Sequence, residues 1–177
     1  DIDNDADLDL FVTNAFWGGP WKNFLFLNNG DGSFTRDTAT VCSKDQGWSY
    51  GCAFGDFDRD GDLDLSVANC YNASQTDYLY ENHAAEMPNN WVAVLCIGTE
   101  SNRSAIGAKV RVTATIDGQE VTQMREISAQ TGYCGQNQLA AHFGLGGATS
   151  YTVAVDWPSG QQQVFGNLGS NQYLTIT

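Results

Sequence analysis

"DFDRDGDLDLSVAN", residues 56–69, sets an aspartate at every second position from Asp56 to Asp64, places Gly61 among them, and then runs into an alternating polar and apolar segment. Five like charges in nine residues repel one another and raise the cost of any compact arrangement, so a cation is expected among them. The same design recurs in "DIDNDADLDLFVTN", residues 1–14, at an offset of 55. The segments that follow, "NFLFLNN" at 23–29 and "DYLYENH" at 77–83, align at an offset of 54, so the chain carries an internal repeat. Within each unit "DLDLFVT", "DLDLSVA", "NFLFL" and "DYLYE" alternate as strands do, and "NNGDGSF" at 28–34 is a hairpin turn signal. Helical periodicity is absent from this half.

Near "EMPNN", residues 86–90, the repeat stops and the composition shifts. From Trp91 onward come "WVAVLCIG", "AKVRVTATI", "EVTQMREIS", "LAAHFGL", "TVAVDWPSG", "QQQVFG" and "YLTIT", short apolar runs separated by DG, GG, SG and GS turns. The pattern predicts a second all-β unit, a sandwich or a partly closed barrel, over 89–177, after a repeat unit over 1–88.

The spacing of the aspartates names the chemistry. Asp56, Asp58 and Asp60 stand at loop positions 1, 3 and 5, Gly61 permits a sharp turn at position 6, position 7 (Asp62) offers its backbone carbonyl, and Asp64 closes the loop at position 9. Hard oxygen ligands in this number suit calcium, whereas magnesium demands a tighter octahedron and keeps more of its water. Asp1, Asp3, Asp5, Asp7 and Asp9 repeat the set with Ala6 in place of the glycine. An alanine there must accept a positive φ or leave the loop more open, so the first of the two calcium sites is expected to be the weaker. A helical calcium loop would need a glutamate at position 12, where Val67 and Val12 stand, so these loops join strands.

These residues resemble a known family. "GWSYGCAFGDFDRDGDLDLSVAN" (47–69), with "NNGDGSFTRDTA" (28–39) ahead of it, resembles the FG-GAP/VCBS-type calcium-binding repeat of β-propellers. "NNWVAVLCIGTESNRSAIGAKVRV" (89–112), "GQNQLAAHFGLGGA" (135–148) and "VDWPSGQQQ" (155–163) resemble the ASPIC/UnbV domain that follows such repeats in cartilage-acidic-protein-like extracellular proteins. The resemblance implies calcium, secretion and adhesion-like roles, and no defined reaction. It also implies about one and a half propeller blades, which cannot close a ring alone. The first loop lacks the strand that feeds the second, "SYGCAFGDF", so upstream blades or other copies of the chain, as a homo-oligomer or a filament, are expected to complete it. Because Asp1 already stands inside a motif, the chain is expected to be processed or partial.

Composition bounds the alternatives. The 177 residues carry a formal charge of −13, but the two loops hold ten of the 21 acids, leaving 11 against 8 bases elsewhere. No basic stripe invites nucleic acid, and no run of about 18 apolar residues spans a bilayer. Five cysteines fit no zinc spacing, and bridges Cys52–Cys70 and Cys96–Cys134 are expected, with Cys42 left over. Sequons at Asn72 and Asn102 point to a secretory route with glycosylation. No nucleophile elbow, HExxH or phosphate loop appears, and His142, in "LAAHFGLG", reads as a structural histidine, so no enzyme is expected. The rival to an adhesion module is a calcium-dependent lectin that stacks sugars on Trp17 and Trp21 of "FWGGPW", 16–21. Trp48, Trp91 and Trp157, next to strands, are expected in the core.

Overall fold

A computed structural model describes residues 1–15, 21–70, 74–84 and 88–177, and its regular elements are all strands. The repeat region forms two three-stranded antiparallel sheets. In the first, β1 (Leu10–Val12), β3 (Phe24–Asn28) and β4 (Phe34–Asp37) lie in the order β1-β3-β4. In the second, β6 (Ser49–Gly55), β7 (Asp64–Asn69) and β8 (Tyr78–Tyr80) lie in the order β6-β7-β8. A two-stranded ribbon of β2 (Trp21–Lys22) and β5 (Gln46–Gly47) lies beside them.

The repeat in sequence is a repeat in space. β1 pairs with β3 as β7 pairs with β8, and the strand that leaves each acidic loop is held by the same bonds. The amide of Asn14 donates to Asn23 Oδ1 (2.9 Å) as that of Asn69 donates to Asp77 Oδ1 (2.8 Å). The side-chain amide of Asn14 donates to the carbonyl of Lys22 as that of Asn69 donates to that of Thr76, each at 2.7 Å. A buried relay then ties the two units together, Asn23 Nδ2 to Ser49 Oγ (3.0 Å) and Ser49 Oγ to Asn69 Oδ1 (2.7 Å).

The C-terminal region is a sandwich. One sheet has the order β11-β10-β13-β14 and the other β12-β9-β15. Their strands are β9 (Asn90–Cys96), β10 (Lys109–Ile116), β11 (Gln119–Glu126), β12 (Ala141–Gly146), β13 (Ser150–Asp156), β14 (Gln162–Gly169) and β15 (Gln172–Ile176). Val110, Val112, Ala114 and Ile116 face inward at a period of two, opposite Val92, Val94, Phe143 and Leu145. Asp117 and Gly118 make the two-residue turn between β10 and β11 that the DG pair predicts.

Among the described residues, nineteen buried residues form this core, against four (Phe11, Leu25, Leu65, Val67) in the repeat region. At about 1.5–3 kcal/mol for each large aliphatic or aromatic side chain, the sandwich carries most of the hydrophobic stabilisation. In β12 every residue is buried, and in β9 Trp91 and Ala93 are buried as well as Val92 and Val94. A strand buried on both sides has something packed on each. Here the second face of β12-β9-β15 lies under the acidic loops.

Candidate metal centre

Each acidic loop is closed by its last aspartate. Asp9 accepts the amides of Ile2 and Asn28, and Asp64 accepts those of Phe57 and Asn82, all at 2.9 Å. The pairs correspond at the repeat offsets, so one carboxylate per unit staples the loop start to the end of the hairpin strand. Within the loops the carboxylates bond forward: Asp5 Oδ1 takes the amide of Asp7 (2.8 Å), Asp58 Oδ1 that of Asp60 (3.3 Å) and Asp60 Oδ1 that of Asp62 (3.1 Å). The sharp course depends on positive φ at positions 4 and 6, Asn4 (61°) and Ala6 (84°) in the first loop, Arg59 (66°) and Gly61 (103°) in the second. Ala6 therefore takes the first of the two routes expected of it, the positive φ.

Two carboxylate clusters result among the described residues. Asp1, Asp3 and Asp5 offer oxygens within 4.8 Å of one another, and so do Asp56, Asp58 and Asp64. Asp7 and Asp9 fall outside the first set, and Asp60 and Asp62 outside the second. Oδ1 of Asp1, Asp3 and Asp56 is buried without a hydrogen-bond partner, although each belongs to an acidic side chain. Such atoms are costly unless a cation or water meets them. Burial first, and neighbouring carboxylates second, hold Asp3 and Asp7 above the usual carboxylate range; burial does the same to Asp64. The donor set, all oxygen and partly desolvated, fits a hard divalent cation.

Most of the residues behind the loops come from the other half of the chain. Asp1 Oδ2 accepts the amide of Gly144 (2.8 Å) and lies 4.0 Å from Arg125 Nη2. Asp56 Oδ2 accepts the amide of Gly61 (3.0 Å) and the hydroxyl of Tyr173 (2.5 Å). The carbonyl of Gly61 meets Asn4 Nδ2 (3.2 Å) and His142 Nε2 (3.1 Å), so the two loops touch each other as well as β12. Asn82 Nδ2 donates to the carbonyls of Ile2 (2.6 Å) and Leu63 (3.2 Å), and Asn89 Nδ2 to that of Asp3 (2.9 Å). Trp91 stacks on His142 and covers Gly61, where a β-carbon would lie 1.9 Å from the indole. At Gly144 a β-carbon would lie 2.5 Å from both the Asn4 backbone and Asp1 Oδ2. Glycine is needed at both points of approach.

Residues 1–67 match the family described as FG-GAP-like repeat, and residues 98–177 match ASPIC and UnbV. The chain carries an FG-GAP-like repeat followed by an ASPIC and UnbV domain. It is similar to Cartilage acidic protein 1 of Homo sapiens, 30% identical over an alignment of 180 positions that covers 99% of this chain and 26% of that protein. Cartilage acidic protein 1 of Xenopus tropicalis is 30% identical over 165 residues, 91% of this chain and 25% of that protein. The chain thus spans about a quarter of the length of these relatives.

The acidic pattern was legible in the FG-GAP-like repeat, whereas the partners from the ASPIC and UnbV domain, Trp91, His142, Gly144 and Tyr173, were not. Asn28 and Asn82 had a signal, since both recur at the repeat offset. His142 is buried, and desolvation lowers its pKa to about 4, so it is a neutral structural group. Trp91 and Trp157 are core residues and Trp48 is half-buried.

The cysteines correct an expectation. All five are free thiols, and neither Cys52–Cys70 nor Cys96–Cys134 is formed. β6 and β7 are antiparallel as expected, but Cys52 stands opposite Val67, and the Cys70 amide bonds the carbonyl of Trp48. Four residues of strand separate that level from Cys52, roughly 13 Å, against a bridging limit of about 7 Å. Cys96 is buried in the sandwich core, whereas Cys134 is exposed and its backbone lies against Gly51 of β6. Asn102 is exposed, with its side-chain amide bonded to the amide and carbonyl of Ile106. Trp21 is 50% exposed. Trp17 and Asn72 lie outside the described residues.

Proposed function

We propose that each loop holds a calcium ion and that the chain is part of a secreted, non-enzymatic structural or adhesion module. The observation that carries the reading is the repeated cluster of carboxylates whose position-1 members, Asp1 and Asp56, each keep one buried oxygen without a partner. Asp1, Asp3 and Asp5 would hold one ion, and Asp56, Asp58 and Asp64 the other. A bound cation would compensate the charge of the clustered carboxylates. At about 100 times its dissociation constant each ion adds roughly 2.7 kcal/mol to the folded state. Calcium is expected to raise the melting temperature markedly, chelation to reverse the gain, and Asp58→Ala to remove most of it; a melting curve indifferent to chelator contradicts the assignment.

Assembly is the second element of the reading. β6 covers one edge of β7, whereas the matching edge of β1 has no strand beside it among the described residues. A cleft of about 540 Å³ runs along that edge, lined in part by Leu8, Leu10, Phe11, Phe54, Met124 and Ile127. A strand from a further blade or from another copy would complete the sheet there. Light scattering on dilution tests this: a compact monomer whose β circular dichroism persists with and without chelator speaks against it. The half-exposed ring of Trp21 supports a lectin-like alternative, which requires that Trp21→Ala abolish binding to a glycan array.

A further inference from the structure

The two position-1 aspartates are treated alike by the ASPIC and UnbV domain. Asp1 gives Oδ2 to the Gly144 amide of β12, and Asp56 gives Oδ2 to the Tyr173 hydroxyl of β15 as well as to the Gly61 amide of its own loop. In both, the other oxygen is buried and unpartnered. β12 and β15 flank β9 in one sheet, and β9 contributes Trp91 over Gly61. One sheet face therefore orients the same carboxylate in both repeats, though Gly144 and Tyr173 share no sequence pattern and the sandwich itself has no such repeat.

The geometry points to a composite metal centre, in which Tyr173 and the Gly144 amide are positioning groups that aim Oδ1 of Asp56 and Asp1 at the cations, so that cation binding and docking of the β12-β9-β15 face on the loops reinforce each other. This rests on the calcium reading above. A carboxylate free to rotate can turn either oxygen toward solvent; one whose Oδ2 is held by a donor presents Oδ1 in a fixed direction. Partners behind metal ligands typically change affinity by about 10- to 100-fold. By linkage, whatever factor docking adds to cation affinity, the cation adds to docking. Asn4, bonded to Gly61 in the other loop and through its carbonyl to the Gly146 amide, makes the two sites share the same docked face.

Trp91 provides the readout, because its indole covers the second loop and can sensitise terbium bound there. The full chain is titrated with terbium while indole-sensitised emission is followed, and with calcium by calorimetry. Tyr173→Phe is expected to weaken the second site about 10- to 100-fold, whereas Thr113→Val, which removes a hydroxyl on the outer sheet, leaves it unchanged. The rise in melting temperature that calcium produces shrinks in Tyr173→Phe, a change that a merely structural hydroxyl, equally missed with and without the cation, does not produce. Amide exchange in 141–146 and 172–176 slows when calcium is added to the wild-type chain. Unchanged cation affinity in Tyr173→Phe, or exchange in these strands indifferent to calcium, overturns the composite centre while leaving the calcium reading standing. A wild-type chain that binds neither ion overturns both.

Discussion

The loop at 1–9 and the loop at 56–64 follow one course on different supports. Both turn at positions 4 and 6 through positive φ, and in both the ninth residue staples the loop to the neighbouring strand. They part at position 6. Gly61 lies beneath Trp91 with no room for a methyl group, whereas Ala6 packs its methyl against the edge of the sandwich core. They part again in the carboxylates they gather, position 5 in the first loop and position 9 in the second. The repeat dictates the path of the backbone; the surface against which each copy docks selects the residues that path can carry.

The largest test of this contrast is Gly61→Ala. It adds the cost of a left-handed alanine, about 1–2 kcal/mol, to that of displacing Trp91, about 1–3 kcal/mol. Urea denaturation in calcium should show the sum, and a loss no larger than the backbone cost alone would mean that Trp91 does not hold the loop. A smaller effect follows from His142, which serves the second loop through Gly61. Its folded pKa, about 4, is below its ordinary value of 6.5 because it is buried. The unfolded chain therefore takes up the proton first, and the stability tied to neutral His142 is present above pH 6.5 and lost as the pH falls towards 4. Comparison with His142→Gln isolates this slope, and identical pH profiles for the two proteins would contradict it. The smallest effect is the reciprocal change in the first loop. Ala6→Gly relieves the positive φ but gives up a packed methyl and gains backbone freedom when unfolded, so its stability should stay within about 1 kcal/mol of wild type.

Much of this architecture could be read from residues close together in the chain. Alternation in "DLDLSVAN" and the runs after Trp91 locate the strands, because burial on one sheet face imposes a period of two. The seven C-terminal runs become β9 to β15, and "NNGDGSF" becomes the turn between β3 and β4. The separation of Cys52 from Cys70 was not readable, since it depends on register: the irregularity between Ser49 and Gly51 and the level of Cys70 opposite Trp48 are set by how whole strands pair.

By itself the sequence determined that the chain is all-β, that it repeats, and that the repeats concentrate carboxylates where a hard cation fits. Those are consequences of alternation and charge spacing, which act over a few residues. Only the tertiary structure decided that the two acidic loops touch, that one face of the sandwich supplies Gly144 and Tyr173 to their first aspartates, and that Trp91 forbids a side chain at Gly61. These contacts join residues separated by 30 to 143 positions, and no local pattern records them, because a donor needs only to arrive within hydrogen-bond distance and a backbone amide can do so from any residue other than proline.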